Sequence, residues 1–297
     1  MTPTAPPTER RNPRTTDIDT LESSDVLRLL LAEDAAGVQA AAAAGDQLAR
    51  AVDAAHARIA EGGHVHYFGA GASGRLAVLD ATEIRPTFGM DLFTAHFAGG
   101  PAALTDPAID REDADALGAA DAGALDATSV AIGITASGST RYVAGALRAA
   151  RAAGALTVLV TCNPDAPLRE LADIHVVADT GPEALTGSTR LKAGTATKVL
   201  LNAFSTALMI KAGRTYGNLM VGLVATNAKL GERAVSLLVE ATGEDADVCR
   251  AILAESAGRI PEALVRLLTG GTAEQAKDAL RRHQGVRAAV AALGGHT

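Results

Sequence analysis

Cations are in the minority in this 297-residue chain, 27 Lys and Arg against 34 Asp and Glu, for a formal charge of -7. Nucleic-acid partners, which are held through many Lys and Arg contacts to phosphates, are disfavoured. Cysteine occurs only at Cys162 and Cys249, too few for a disulfide framework or a cysteine-rich zinc site. No apolar run approaches the roughly 18 residues of a membrane span. The first residues, rich in Pro, Thr and Arg, lack the apolar core of a signal peptide. A soluble cytoplasmic protein without membrane or nucleic-acid partner is the expectation.

What is present is 48% hydrophobic residues in changing periods. Residues 1–20 have none and read as an extended arm that orders on a partner. From Ser24 the spacing predicts two helices, the second carrying Leu48, Val52, Ala55 and Ile59 and closing at Gly62-Gly63. The period then shortens. Strands are predicted at His64–Phe68, Leu92–Phe97, Ser129–Ile134, Leu156–Thr161 and Ile174–Ala178, with helices at Arg75–Ile84, closed by Pro86, and Arg141–Ala153, closed by Gly154. Alternation of this kind gives an α/β fold, a mainly parallel sheet flanked by helices, with ligand sites in the loops after the strands. A long helix is predicted over Leu191–Ala212. Only helices are predicted beyond Thr226: Asn227–Ala241, Asp245–Ala257, Pro261–Leu268 and one opening on the capping-box spacing Thr272-Ala-Glu-Gln275. The division expected is an N-terminal arm and helices over 1–50, an α/β domain over 51–225 and a small helical domain over 226–297.

Three loops attract chemistry. Gly69-Ala-Gly71-Ala-Ser73-Gly74 matches a dinucleotide fingerprint by letter, but the next strand ends His96-Phe97-Ala98-Gly99-Gly100 without the carboxylate that would hold a ribose. A tight glycine turn that merely joins strand to helix is the favoured alternative. Thr135-Ala-Ser137-Gly-Ser139-Thr140 places four hydroxyls at a helix N-terminus with no Walker lysine, which suits a monoester phosphate better than a nucleotide; plain capping by Ser139 or Thr140 is the simpler alternative. Thr186-Gly-Ser188-Thr189 repeats the hydroxyl pattern, and Lys192 and Lys198 follow it as possible aids to an anion or as ordinary surface lysines.

Glu83, placed by its sequence near the end of a crossover helix, faces the negative pole of the dipole, which favours a proton donor. Nine residues, about 13 Å of helix, separate it from Gly74, longer than a hexose, so the Ser137 loop, a bend or a second subunit must bring the phosphate to it. Asp106, Asp110, Glu112 and Asp113 form a second acidic stretch, and a base partnering Glu83 can come from it. His64 and His66 alternate on one strand face without a third ligand nearby, so no metal is expected.

Together these segments resemble one known family. Thr8-Glu-Arg-Arg-Asn12-Pro, Gly69 through Arg75, Asp80-Ala-Thr-Glu83-Ile, Thr135 through Thr140, Leu185 through Lys198, Tyr216-Gly-Asn-Leu-Met220 and Thr226 through Leu230 are similar, over nearly the whole chain, to the N-acetylmuramic acid 6-phosphate etherases. The resemblance implies a sugar isomerase (SIS) domain with a helical C-terminal domain. It implies cleavage of the D-lactyl ether of N-acetylmuramic acid 6-phosphate to N-acetylglucosamine 6-phosphate and D-lactate in cell-wall amino sugar recycling, with no cofactor. Of the family's two catalytic glutamates, one matches Glu83. The other, following an Ala-Gly-Gly turn, matches Glu112; Ile109 stands where relatives carry an acid, leaving Asp113 as the alternative register. Ser73, Ser137, Ser139, Thr140, Ser188 and Lys192 are the expected substrate contacts. Residues 222–225 also depart from the family pattern. A homodimer sharing its active sites is expected. The competing readings are an aldose-ketose isomerase, which needs no second acid facing C3, and a sugar-phosphate-sensing regulator without catalysis.

Overall fold

Near-continuous apolar runs such as Val130-Ala-Ile-Gly-Ile134 and Leu156-Thr-Val-Leu-Val-Thr161 are buried along their whole length, as strands covered on both faces must be. In the computed structural model, which describes residues 5–106, 108–222 and 228–295, they lie at the centre of a parallel sheet. The chain divides into two compact units, Met1–Thr82 with Leu92–Ser205, and Glu83–Asp91 with Thr206–Thr297.

In the first unit, α1 (Ser23–Ala43) and α2 (Gly45–Ala60) precede β1 (Val65–Gly69), α3 (Gly71–Phe88), β2 (Phe93–Phe97), α4 (Gly100–Ala103), α5 (Asp115–Asp121), β3 (Val130–Ile134), α6 (Arg141–Ala152), β4 (Leu156–Thr161), β5 (Ile174–Val177) and α7 (Lys192–Lys211). α3 and α7 begin in this unit and end in the second. The strand order is β2-β1-β3-β4-β5, every pair parallel. Pleat alternation sends neighbouring side chains of β1 to opposite faces. Phe68 packs with Tyr142, Val143 and Leu147 of α6, while the Tyr67 hydroxyl donates to Asp80 of α3 at 2.9 Å. Asp80, buried, also accepts from Asn202 (2.6 Å) and Ser205 (3.1 Å) of α7. Burial raises its pKa despite those three donors. On the edge strand β5, the Val177 N–H donates to Gln47 of α2 at 2.8 Å, which closes off part of an edge open to pairing.

The second unit contains a two-stranded antiparallel ladder, β6 (Thr215–Tyr216) and β7 (Leu219–Met220), then α8 (Ala228–Thr242), α9 (Ala246–Glu255), α10 (Ile260–Thr269), α11 (Ala273–Arg282) and α12 (Gly285–Ala292). Its core includes Leu238, Leu264, Val265, Val286 and Val290. Thr272 and Gln275 form the reciprocal capping box that their spacing predicts. α12 was not anticipated; eight residues opening on glycine present too short a period to read. The expected domain division at 225/226, the departing residues 223–225 and the helix start at Asn227 lie outside the described residues.

Three expectations are corrected. α3 does not close at Ile84: it runs to Phe88 with Pro86 inside it. Proline forfeits one bond to the carbonyl four residues back, here that of the exposed Thr82. Glu83 therefore sits before the last turn and loses the dipole argument made for it. The arm orders on this chain's own body: Thr8, Asn12 and Thr15 are buried, the Thr15 hydroxyl donates to the Ala184 carbonyl (2.8 Å), and the Gly187 N–H donates to the Thr8 carbonyl (3.0 Å). Lys192, expected at the substrate, is 1% exposed. Its Nζ donates to Glu33 (2.6 Å) and the Pro182 carbonyl (2.7 Å), and Arg14 donates to the same Glu33 carboxylate at 2.5 and 2.9 Å. Glu183, also buried, caps the start of α7 by accepting from the Lys192 and Ala193 N–H groups at 3.0 and 2.9 Å.

The hydrogen bond and charge of Arg14, with those of Lys192, hold Glu33 down at about 2. A carboxylate with a depressed folded value stabilises the fold above its unfolded value and loses that contribution as pH falls towards the folded one. Lys192→Met, which leaves Glu33 buried with only one cation, is predicted to cost about 3–5 kcal/mol in urea unfolding at neutral pH. Glu33→Gln is predicted to flatten the loss of stability between about pH 4.5 and 2; an unchanged acid limb would refute this assignment.

A second pH window comes from the sheet. His66 of β1 and His96 of β2 meet at 3.1 Å between ring nitrogens, and His96 stacks on Phe68 at 4.5 Å. Burial, the charge of His96 and that of His64 outweigh Asp126 and lower His66 to about 4; burial likewise outweighs Asp121 to lower His96. Both rings are neutral at pH 7, so the unfolded chain binds more protons and stability falls as pH drops from about 6.5 to 4. His66→Gln is expected to reduce the slope of the urea midpoint in that window while sparing the one set by Glu33.

Candidate functional site

Loops at the carboxyl ends of β1, β2 and β3 carry the predicted chemistry. The hydroxyl loop after β3 turns at Gly138, whose φ of +73° and lack of a Cβ are both required: a Cβ there would lie 2.3 Å from that of Ala166. Asn163 Nδ2 holds the loop from beneath through the Ser137 carbonyl (2.8 Å). The side chains face one another. Thr135 and Thr140 hydroxyls are 2.8 Å apart, as are those of Ser137 and Ser139. The simpler role is not realised, because Thr140 stands at the N-cap of α6 and makes no side-chain capping bond. Its hydroxyl donates instead to Glu112 Oε1 at 2.8 Å.

Glu112 is held from several directions. Its N–H donates to Asp110 Oδ1 (3.0 Å) and its carbonyl accepts from the Tyr142 N–H (2.8 Å), fixing the acidic loop on the first turn of α6. It lines a cavity of about 200 Å³ together with Gly71, Arg75, Phe97, Ala98 and Ile109. Ile109 thus gives that cavity an apolar wall. Asp113 is not among its lining residues, and its carbonyl accepts from the Asp115 N–H. Of the two acids considered for this position, Glu112 is the one that touches the hydroxyl loop.

The glycine stretch is the end of β1 and the first turn of α3. Gly74 lies against the strand so closely that a Cβ would be 2.6 Å from the Gly69 carbonyl, so its glycines serve the approach of helix to strand. Ser73, half-buried in that turn, has no hydrogen-bond partner for its hydroxyl among the described residues. Ser188 lies half-buried in the loop before α7, its N–H donating to the Leu185 carbonyl (2.9 Å). Glu83 is exposed on α3 and belongs to the second unit, whereas Glu112, the hydroxyl loops and Lys192 belong to the first. Among the described residues no group of three His, Cys, Asp or Glu side chains is placed to hold a metal ion. His66 meets His96 of the neighbouring strand, 3.1 Å away.

The arrangement offers a ring of hydroxyl donors at a helix N-terminus, fit for a phosphate, joined by one hydrogen bond to a carboxylate at the mouth of a cavity. Sequence reasoning missed two buried carboxylates: Asp80, whose partners Asn202 and Ser205 lie more than 120 residues along the chain, and Glu183, whose partners are the backbone N–H groups of Lys192 and Ala193, which carry no side-chain signal. No helix among the described residues is long and apolar enough to cross a membrane.

A family model of the glucokinase regulatory protein N-terminal SIS domain matches residues 47–151, and one of the SIS domain matches residues 102–207. An N-acetylmuramic acid 6-phosphate etherase of Thermobifida fusca is 53% identical over 265 residues, 89% of this chain and 87% of that protein. Another, from Pectobacterium atrosepticum, is 46% identical over 281 residues, 93% of each. A solved phosphoheptose isomerase of Francisella tularensis superposes with a TM-score of 0.49 at 16% identity, covering 64% of this chain and 100% of that one.

Proposed function

This chain belongs to the N-acetylmuramic acid 6-phosphate etherase family, and we propose from that premise how its residues divide the work. It is a carbon–oxygen lyase of peptidoglycan recycling that cleaves the D-lactyl ether of N-acetylmuramic acid 6-phosphate, giving N-acetylglucosamine 6-phosphate and D-lactate. The phosphate is bound by Ser137, Ser139 and Thr140, remote from the bond that breaks, so that its binding energy orients the reacting carbons. The single observation that supports this most is the 2.8 Å hydrogen bond from Thr140 to Glu112, which couples the hydroxyl loop to a base.

In the open-chain sugar the C1 aldehyde acidifies the C2 hydrogen. Glu112 removes that proton, the electron pair forms the C2–C3 double bond, and the C3–O bond breaks as Glu83 protonates the departing lactate oxygen. Glu83, now a carboxylate, then takes a proton from water as its oxygen adds to C3, and the C2 proton returns through Glu112. Ser73 and Ser188 supply further hydroxyl contacts from their loops. The protein works as a homodimer in the cytoplasm, each site drawing on both copies. In support, Leu27, Leu31 and Val38 form an exposed apolar stripe along α1, 58, 68 and 44% accessible, of the kind a second copy covers.

Incubation of the protein with N-acetylmuramic acid 6-phosphate is expected to release D-lactate. Glu83→Gln and Glu112→Gln are each expected to lower kcat by roughly 10²–10⁴. In deuterated water, Glu83→Gln is expected to keep exchange at C2 and Glu112→Gln to lose it. An isomerised sugar without lactate, or full activity in the double variant, would overturn the assignment.

A further inference from the structure

Beside the Glu112 cavity is a larger cleft of about 430 Å³, between the start of α3 and the start of α7, lined by Ala72, Arg75, Leu76, Arg190, Lys198 and Val199 among others. Arg75 lines both spaces. It is fixed between them by its bonds to the Leu104 and Ala103 carbonyls (3.0 and 3.4 Å) and by the Phe97 ring, 5.3 Å from its guanidinium. The cleft therefore adjoins the carboxylate that faces the hydroxyl loop.

Its chemistry is one-sided. No carboxylate lines it. Arg190 and Lys198, both exposed, have no ion-pair partner among the described residues, although acids outnumber bases in this chain. Lys198 feels the charge of Asp80, but the Asp80 oxygens are already taken by Tyr67, Asn202 and Ser205. Between the cations the walls are alkyl, from Ala72, Leu76 and Val199. A fully hydrated phosphate gains nothing from such walls. A small group with a methyl on one side and an anion on the other matches both features, and in the substrate the lactyl ether is that group, the carbon next to its ether oxygen carrying both the methyl and the carboxylate.

We infer that this cleft is the seat of the lactyl group, with Arg190 and Lys198 holding its carboxylate and Leu76 and Val199 its methyl. The inference rests on the function proposed above and adds the feature by which substrate is told from product, since N-acetylglucosamine 6-phosphate keeps the phosphate and lacks the carboxylate. A site that binds only the feature lost in the reaction also lets the sugar product leave without competing for those contacts.

The test compares two constants in wild type, Arg190→Gln and Lys198→Met: KM for N-acetylmuramic acid 6-phosphate, and the inhibition constant of N-acetylglucosamine 6-phosphate. KM is expected to rise about ten-fold or more in each variant, the worth of a charge-assisted hydrogen bond, while the product constant moves less than about two-fold. Parallel changes in both would assign the cations to the phosphate and overturn the inference, as would no change in either. A measurement independent of any variant uses substrate whose lactyl carboxylate is converted to its amide. Wild type should bind it about ten-fold more weakly, and equal KM values would refute the assignment. Release of D-lactate by wild type in the same assay separates failure of the parent reading from failure of this one.

Discussion

The carboxylate of Glu33 is the point on which the first unit depends. It is buried on α1 and takes charge-assisted hydrogen bonds from Arg14 of the arm and Lys192 of α7. An ion removed from water in this way is tolerable only when its lone pairs are filled, so three segments remote in sequence must arrive together. Lys192 in turn spends its remaining reach on the Pro182 carbonyl, while Glu183 closes the free N–H groups of the same helix end. The start of α7 is therefore set in place before any ligand is considered, and Arg190 and Lys198, on either side of Lys192, inherit that placement.

The loop after β3 is organised differently, through hydroxyls rather than buried ions. Thr135, Ser137, Ser139 and Thr140 are close enough to bond one another, and neutral donors can redirect their protons to an incoming anion without leaving a charge unpaired when it departs. In the phosphate-binding role proposed for them, a lysine in their place would hold substrate and product alike more tightly. For a reaction in which the phosphate is carried through unchanged, uniform tight binding lowers KM without speeding the chemistry.

Much of this was legible in residue order, and the misses have a common cause. Fully apolar stretches such as Val130–Ile134 and Leu156–Thr161 can only be covered strands, and the hydroxyl loop and Glu112 stand where strand-to-helix connections place ligands. Lys192 was misread because its partner Glu33 lies 159 residues away, beyond any local pattern; from its neighbours alone it looks like a surface lysine beside a hydroxyl loop. Pro86 was read as a stop because its effect is local, whereas the helix continues on the strength of Ile84 and Phe88, both buried. The arm carries no period because its order comes from individual hydrogen bonds to residues 182–187 and to Glu33 of α1, and not from a repeating face.

That attachment has a consequence for biosynthesis. The Thr15 hydroxyl bonds a carbonyl 169 positions further on, and Asn12 one 170 further on. At ribosomal speeds of about 5–20 residues per second, the arm leaves the exit tunnel roughly 10–30 seconds before its docking strip exists. The earliest-made part of the first unit is thus among the last to be secured, and throughout that interval the nascent chain exposes helices α1 and α2 without the lysine that neutralises Glu33.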